Sequence, residues 1–201
     1  AAFEGATIIS SEMCRKMVLE TGHEWLTIME RDIGRRLPGT KPLAAEVTYP
    51  EGTRTETFIH DVRFVFWVPR GSHTIGDLLV HLPDDKVLVA GDVLVSRVVP
   101  TLQDGFVKNW IQTLNEIQTL GVSHFVPGHG DLMTLQDVAA LRDALLRFYS
   151  GIKEGVRNSQ SESEIRKSLD ISSWDKLERS YVIGRNINRA YLETERDFFN
   201  E

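Results

Sequence analysis

From Ser11 to about Leu37 apolar residues recur at helical spacing, at Met13, Met17, Val18, Trp25, Ile28, Met29 and Ile33. Thr21-Gly22 interrupts the pattern and is expected to break or kink that helix. Ahead of it Ala6-Thr7-Ile8-Ile9 reads as a short strand, and behind it Pro38-Gly39 and Lys41-Pro42 punctuate a loop. The period then changes to that of strands. Val47-Thr48-Tyr49, Thr55 to His60, Val62 to Val68, Leu78 to Leu82 and Val87 to Ala90 are β-branched or aromatic runs. Pro83-Asp84-Asp85-Lys86 has the composition of a tight hairpin turn.

After Asp104-Gly105 the helical period returns at Trp110, Ile111, Leu114, Ile117 and Leu120, and Gly121 stops it. His124-Phe125-Val126 predicts one more strand, followed by a Pro127-Gly128-His129-Gly130 loop. Thr134 suits the cap of a helix carrying Leu135, Val138, Leu141, Leu145 and Phe148, and Ser161-x-x-Glu164 has the capping-box form. A last helix should present Leu177, Tyr181, Gly184, Ile187 and Tyr191 on one face. Strands in the middle and helices at both ends predict a mixed α/β (α+β) fold. Residues 1–201 read as a single domain, with 157–201 as a helical C-terminal extension.

Composition narrows the function classes. The chain has 201 residues, 41% hydrophobic, enough for a sizeable core. Its 23 Lys and Arg against 29 Asp and Glu leave a net charge of −6, which argues against a nucleic-acid surface. No apolar run approaches the ~18 residues that a membrane-spanning helix needs. The one cysteine, Cys14, excludes an intrachain disulfide framework and a Cys-cluster zinc site.

Candidate chemistry lies in the histidines. His23 reads as a surface or cap residue, His60 and His81 as ordinary strand residues, and His124 as the structural start of a strand. His73 and His129 differ. His73 sits in Arg70-Gly71-Ser72-His73-Thr74-Ile75-Gly76-Asp77, a turn between apolar strands; His129 sits in a Gly-flanked loop after a strand; Asp92 follows Ala90-Gly91 at another strand end. Polar residues at several strand ends converge at one sheet edge, where a rigid scaffold presents functional loops. Two imidazoles and a carboxylate are ligand types for zinc or a similar divalent ion, and their dispersed spacing is unlike a short helical metal motif.

The segment His73-Thr74-x-Gly76-Asp77-Leu78-x-Val80-x-Leu82-Pro83-x-x-Lys86-Val87-Leu88-x-Ala90-Gly91-Asp92 resembles the central signature of the metallo-β-lactamase superfamily of binuclear metallohydrolases. Val126-Pro127-Gly128-His129-Gly130 resembles that family's final ligand motif, and Ala2-Phe3-x-x-Ala6-x-Ile8-Ile9-Ser10-x-Glu12 the segment after its first. Asn186 to Glu193 looks like the C-terminal extension of a bacterial subgroup labelled SoxH-like or quinoprotein-relay hydrolases. The resemblance implies an αβ/βα sandwich. It makes His73 a ligand of a first metal, His129 of a second, and Asp92 the bridging, catalytic carboxylate, with Asp77 supporting the His73 loop from behind. Two Zn²⁺ per complete site, or Mn²⁺ or Fe, would share a hydroxide that attacks a small ester, thioester or related bond.

The family's His-x-His-x-Asp-His motif does not occur in the chain. Its expected place is just before Ala1, so the expectation is a sequence cut in front of that motif, lacking the first part of the sandwich and inactive by itself. Asp92 stands where β-lactam hydrolases of the family commonly carry Cys or Ser, which favours the thioesterase, glyoxalase II-like, sulfatase-like and nuclease branches, and the net charge of −6 argues against the last. The alternatives are a β-lactam hydrolase, or a non-catalytic homologue serving as an interaction module through Trp174, Tyr181, Tyr191, Phe198 and Phe199. Those five aromatics are more simply expected to be core. Implied partners are a small-molecule substrate and a second copy of the chain, with no nucleic acid and no membrane. The expected setting is a soluble protein of the bacterial cytoplasm or periplasm.

Overall fold

The computed structural model describes residues 5–200, so the Ala2-Phe3 part of the first resemblance lies outside the described residues. In chain order the elements are β1 (Ile9–Ser11), α1 (Glu12–Asp32), β2 (Val47–Tyr49), β3 (Thr53–Ile59), β4 (Val62–Val68), β5 (Leu79–Leu82), β6 (Val87–Val95), α2 (Val107–Ile117), β7 (His124–His129), α3 (Leu135–Arg157), α4 (Glu162–Ser168), a single 3-10 turn (Ser180–Val182) and α5 (Ile183–Asn200). Five strands form one sheet in the order β3-β4-β5-β6-β7, antiparallel except for the parallel β6–β7 pair; β1 and β2 pair separately, in parallel.

Register sorts the residues by face. Val65, His81, Leu88 and Phe125 align across four strands on one face; Phe66, Val80, Val89 and Val126 align on the other. On the first face Leu79, Leu88, Ala90 and Phe125 join Trp110, Leu114, Leu145, Phe148, Ile165, Ile187 and Ala190 in one buried cluster, so α2, α3, α4 and α5 share the core of the sheet. On the second face Tyr49 of β2 stacks on Phe66 at 5.1 Å between ring centroids, while Val89 stays exposed. Both predicted helix caps form: Thr134 with Asp137 and Ser161 with Glu164 close complete capping boxes.

Several expectations need correction. The first strand is Ile9–Ser11 rather than Ala6 to Ile9, because its pairing with Val47–Tyr49 sets its limits. Helix α1 runs unbroken through Thr21-Gly22: the Thr21 hydroxyl donates to the Met17 carbonyl, and Gly22 lets Pro42 close to where a Cβ would stand, 2.7 Å from the Pro42 Cβ. His60 sits not in a strand but at the β3–β4 hairpin tip, with φ of 48°. Strand β7 continues through Pro127 and Gly128 to His129 because β6, longer than expected, offers pairing as far as Val95. The buried face of α5 is Ile183, Asn186, Ile187, Ala190, Glu193 and Thr194; of the expected face Ile187 is buried and Leu177 and Tyr191 pack partly against the core, whereas Tyr181 is exposed. A left-handed Arg179 and the 3-10 turn reset the helical phase just before α5 begins. Of the five C-terminal aromatics Trp174 is core, tilted against Phe148 at 4.4 Å, and Tyr191 packs partly against the core, whereas Tyr181, Phe198 and Phe199 are exposed. No helix among the described residues is long and apolar enough to cross a membrane.

Candidate metal centre

Asp92 lies where β6 departs from regular pairing: the register shifts on both sides of Gly91, whose φ is +51°. That irregularity turns the carboxylate to the sheet edge, between the two histidines. Asp92 Oδ2 is 3.5 Å from His129 Nε2 and 3.9 Å from His73 Nε2. His129 arrives at the end of β7, and His73 in the loop between β4 and β5. All three side chains are partly exposed, so the edge is open to small molecules. Of the described histidines, only His73 and His129 stand within ion-pair range of Asp92. His81 is on β5, its pKa lowered by burial and by Arg54 and Arg63 nearby.

The His73 loop is held from three sides. Asp77 accepts the Thr74 backbone N–H at 2.9 Å and the Thr74 hydroxyl at 2.7 Å, which folds the loop back on itself. Burial is the largest influence on Asp77 and raises its pKa, while the two Thr74 hydrogen bonds oppose that rise. Asp77 therefore shapes the loop through Thr74 and the His73 backbone, and its charge also acts on the His73 ring. The His73 ring packs nearly perpendicular to fully buried Trp110, ring centroids 5.4 Å apart, and Trp110 Nε1 donates to the Val93 carbonyl at 2.9 Å. Behind the loop, the Phe106 N–H donates to Ser72 O at 2.9 Å, and the Ser72 and Thr113 hydroxyls bond at 2.8 Å. The Ser11 hydroxyl donates to Gly76 O at 2.8 Å.

Gly128 is where the two strands meet most tightly. A Cβ there would overlap Asp92 Oδ1 and lie 2.8 Å from Asp92 N. Only a residue without a side chain lets β7 deliver His129 while β6 keeps the Asp92 carboxylate in place.

Sequence reasoning missed the contributions of the C-terminal segment. Arg179 brings its Nη1 to 3.4 Å from His129 Nε2. Asn186 accepts from Leu102 N–H and donates to Pro100 O, Arg189 donates to Gly105 O, and Glu193 accepts the N–H groups of Val107 and Lys108. These bonds span more than 80 residues of chain, so no local pattern announces them.

Against known proteins, the family model described as the Metallo-beta-lactamase superfamily matches residues 10–129, a stretch that contains His73, Asp92 and His129. The chain belongs to the metallo-beta-lactamase superfamily. The beta subunit of a 2,4-dinitroanisole O-demethylase from Nocardioides sp. (strain JS1661) is 33% identical over 112 residues, 56% of this chain and 33% of that protein. A metallo-beta-lactamase family protein from Thermus thermophilus superposes over 96% of this chain and 67% of its own, with a TM-score of 0.60 and 17% identity. A double mutant of the sec-alkyl sulfatase PisA1 superposes over 75% of this chain and 28% of its own, with a TM-score of 0.57 and 17% identity. These structural likenesses show a shared metallo-beta-lactamase fold. The chain spans a third of the length of the curated relative it matches.

The donor set can be tested against a metal by its spacings. Two ligands on one tetrahedral zinc, with bonds of about 2.0 Å, stand roughly 3.3 Å apart. The 3.5 and 3.9 Å separations of the imidazole nitrogens from Asp92 Oδ2 are near that spacing and longer than a good hydrogen bond. Among the described residues no group of three or more His, Cys, Asp or Glu closes on one ion.

Proposed function

We propose that this chain carries part of the active site of a metal-dependent hydrolase acting on a small ester, thioester or related bond. The observation behind the reading is the Asp92 carboxylate set between His73 and His129 at an open sheet edge in a superfamily member. His73 would serve one divalent cation, His129 a second, and Asp92 both, since Oδ2 of its carboxylate faces both imidazoles and each neutral imidazole offers one lone pair. Bound zinc, or manganese or iron in its place, supplies a Lewis acid and a water acidic enough to ionise near neutral pH. The chain's own residues orient and space the donors: Asp77 and Trp110 fix the His73 loop, and Gly128 fixes the distance between the Asp92 and His129 strands. Their partial exposure leaves room for substrate to approach from the sheet edge.

A second reading rests on the relative that shares 33% identity over 112 residues, named as a subunit of a 2,4-dinitroanisole O-demethylase. Under it the bond broken is the O–methyl linkage of an activated aryl ether, and the chain works beside a partner subunit. Both readings are tested by metal content and a substrate panel. Purified protein should take up zinc or manganese, and His73→Ala, Asp92→Ala and His129→Ala should each lower the amount bound. Turnover is then followed on esters, thioesters, a β-lactam and a dinitroaryl methyl ether. Equal metal uptake by wild type and all three variants would overturn the proposal.

A further inference from the structure

We propose that Arg179, from the C-terminal segment, is a substrate-recognition residue that holds a carboxylate next to the His129 side of the site. This rests on the reading of His129 as a metal ligand. The segment reaches the site by a strand-like contact with the chain that follows β6. Glu178 N–H donates to Arg97 O at 3.1 Å, Val99 N–H donates to Glu178 O at 2.9 Å, and Val98 and Glu178 form a parallel bridge. Buried Trp174 anchors the chain just upstream. Arg179 itself adopts φ of 62° and ψ of 23°, a left-handed conformation that a non-glycine residue takes at some cost. That backbone turns the guanidinium onto His129, with Nη1 3.4 Å from Nε2.

One observation and one chemical argument make this cation a recognition group. First, among the described residues no carboxylate pairs with Arg179, whereas neighbouring Arg97 is neutralised by Asp131 at 2.5 Å. Second, Nε2 of His129 has one lone pair, and it cannot serve a guanidinium and a cation at once. With a divalent ion on Nε2, the guanidinium moves off the ring and faces like charge. An anion between the two relieves that repulsion, and the planar fork of an arginine suits a carboxylate through two parallel hydrogen bonds. Hydrolysis supplies such a group, because an ester R–CO–OR′ and water yield R–COO⁻, a proton and R′OH. A substrate that already bears a free carboxylate supplies it before the bond breaks.

The test is a calorimetric titration of the protein, zinc-loaded and zinc-free, with acetate and with monomethyl succinate, comparing wild type with Arg179→Ala, Arg179→Gly and Arg179→Lys. Arg179→Gly removes the guanidinium while relaxing the left-handed backbone, so a loss shared with Arg179→Ala belongs to the side chain. Expected is a roughly ten- to hundredfold weaker carboxylate affinity in the Ala and Gly variants, with partial retention in Lys. Zinc affinity should be unchanged or tighter, since the guanidinium no longer competes for Nε2. Weakening of acetate assigns the group to the product acid; weakening of monomethyl succinate alone assigns it to the substrate. Unchanged carboxylate affinity overturns the proposal, and so does a parallel loss of zinc and carboxylate binding, which marks a structural role. If wild type takes up no zinc and His129→Ala changes nothing, the functional reading fails, while the zinc-free titration still decides whether Arg179 holds a carboxylate.

Discussion

Replacing Gly128 by alanine should damage stability and metal binding together. The position needs no left-handed backbone, so the cost comes from contact alone. A methyl group there would overlap Asp92 Oδ1 and stand 2.8 Å from both Asp92 N and the Gly91 carbonyl carbon. Two of these three neighbours are backbone on β6, which cannot yield like the far end of a flexible side chain. Overpacking of this kind costs about 1–3 kcal/mol. For a chain of this size each kcal/mol shifts Tm by roughly 2–4 °C, so Gly128→Ala should melt about 2–12 °C below wild type. Relief of the overlap must come from separating β6 and β7 or from rotating the Asp92 carboxylate, and either change alters its distance to His129. Zinc affinity should therefore fall along with Tm. The assay is thermal denaturation and zinc titration of Gly128→Ala, Asp92→Ala and the double variant. Because Asp92→Ala removes the Oδ1 overlap but keeps the Asp92 N contact, the two stability losses should be less than additive, as expected for residues in contact. A Tm within a degree of wild type, or strict additivity, would refute the packing argument.

Asp92→Ala should lower metal uptake more than Asp77→Ala. The first loses the group shared by both histidine pairs, the second only the fold of the His73 loop, where losses of ~10–100-fold are typical; a larger effect at Asp77 would reverse the assignment. Glu193→Ala should destabilise the chain by about 1–3 kcal/mol, because a buried carboxylate from α5 accepts the first N–H groups of α2, whose own cap residue Phe106 supplies no side-chain acceptor. Chemical denaturation that leaves Glu193→Ala at wild-type stability would contradict this. Thr134 N–H and hydroxyl hold the Asp137 carboxyl below its ordinary pKa of 3.8. Its contribution is therefore present above pH 3.8 and lost as pH falls through the depressed value. Melting curves of wild type and Asp137→Asn should differ at about pH 6 by less than about 1 kcal/mol and converge in acid; a gap that widens in acid has the wrong sign.

What the sequence determined by itself was local. The β-branched and aromatic run over Val62–Val68, the Pro83 to Lys86 turn and the caps at Thr134 and Ser161 are short-range signals, and the structure follows them. The motif around His73, Asp92 and His129 was equally legible, since each residue follows a strand signal and a glycine. Where local rules failed, a distant partner had overruled them. Gly22 stays helical because Pro42 packs on it, β7 runs on to His129 because β6 is there to pair with it, and Tyr181 is exposed because Arg179 resets the helix phase. Only the tertiary structure could decide that Gly128 makes room for the Asp92 carboxylate, that Glu193 caps a helix 85 or 86 residues away, and that Arg179 reaches His129. Periodicity and capping depend on neighbours within a few residues, whereas these contacts depend on where two remote backbones cross, and that is fixed when the shared core closes.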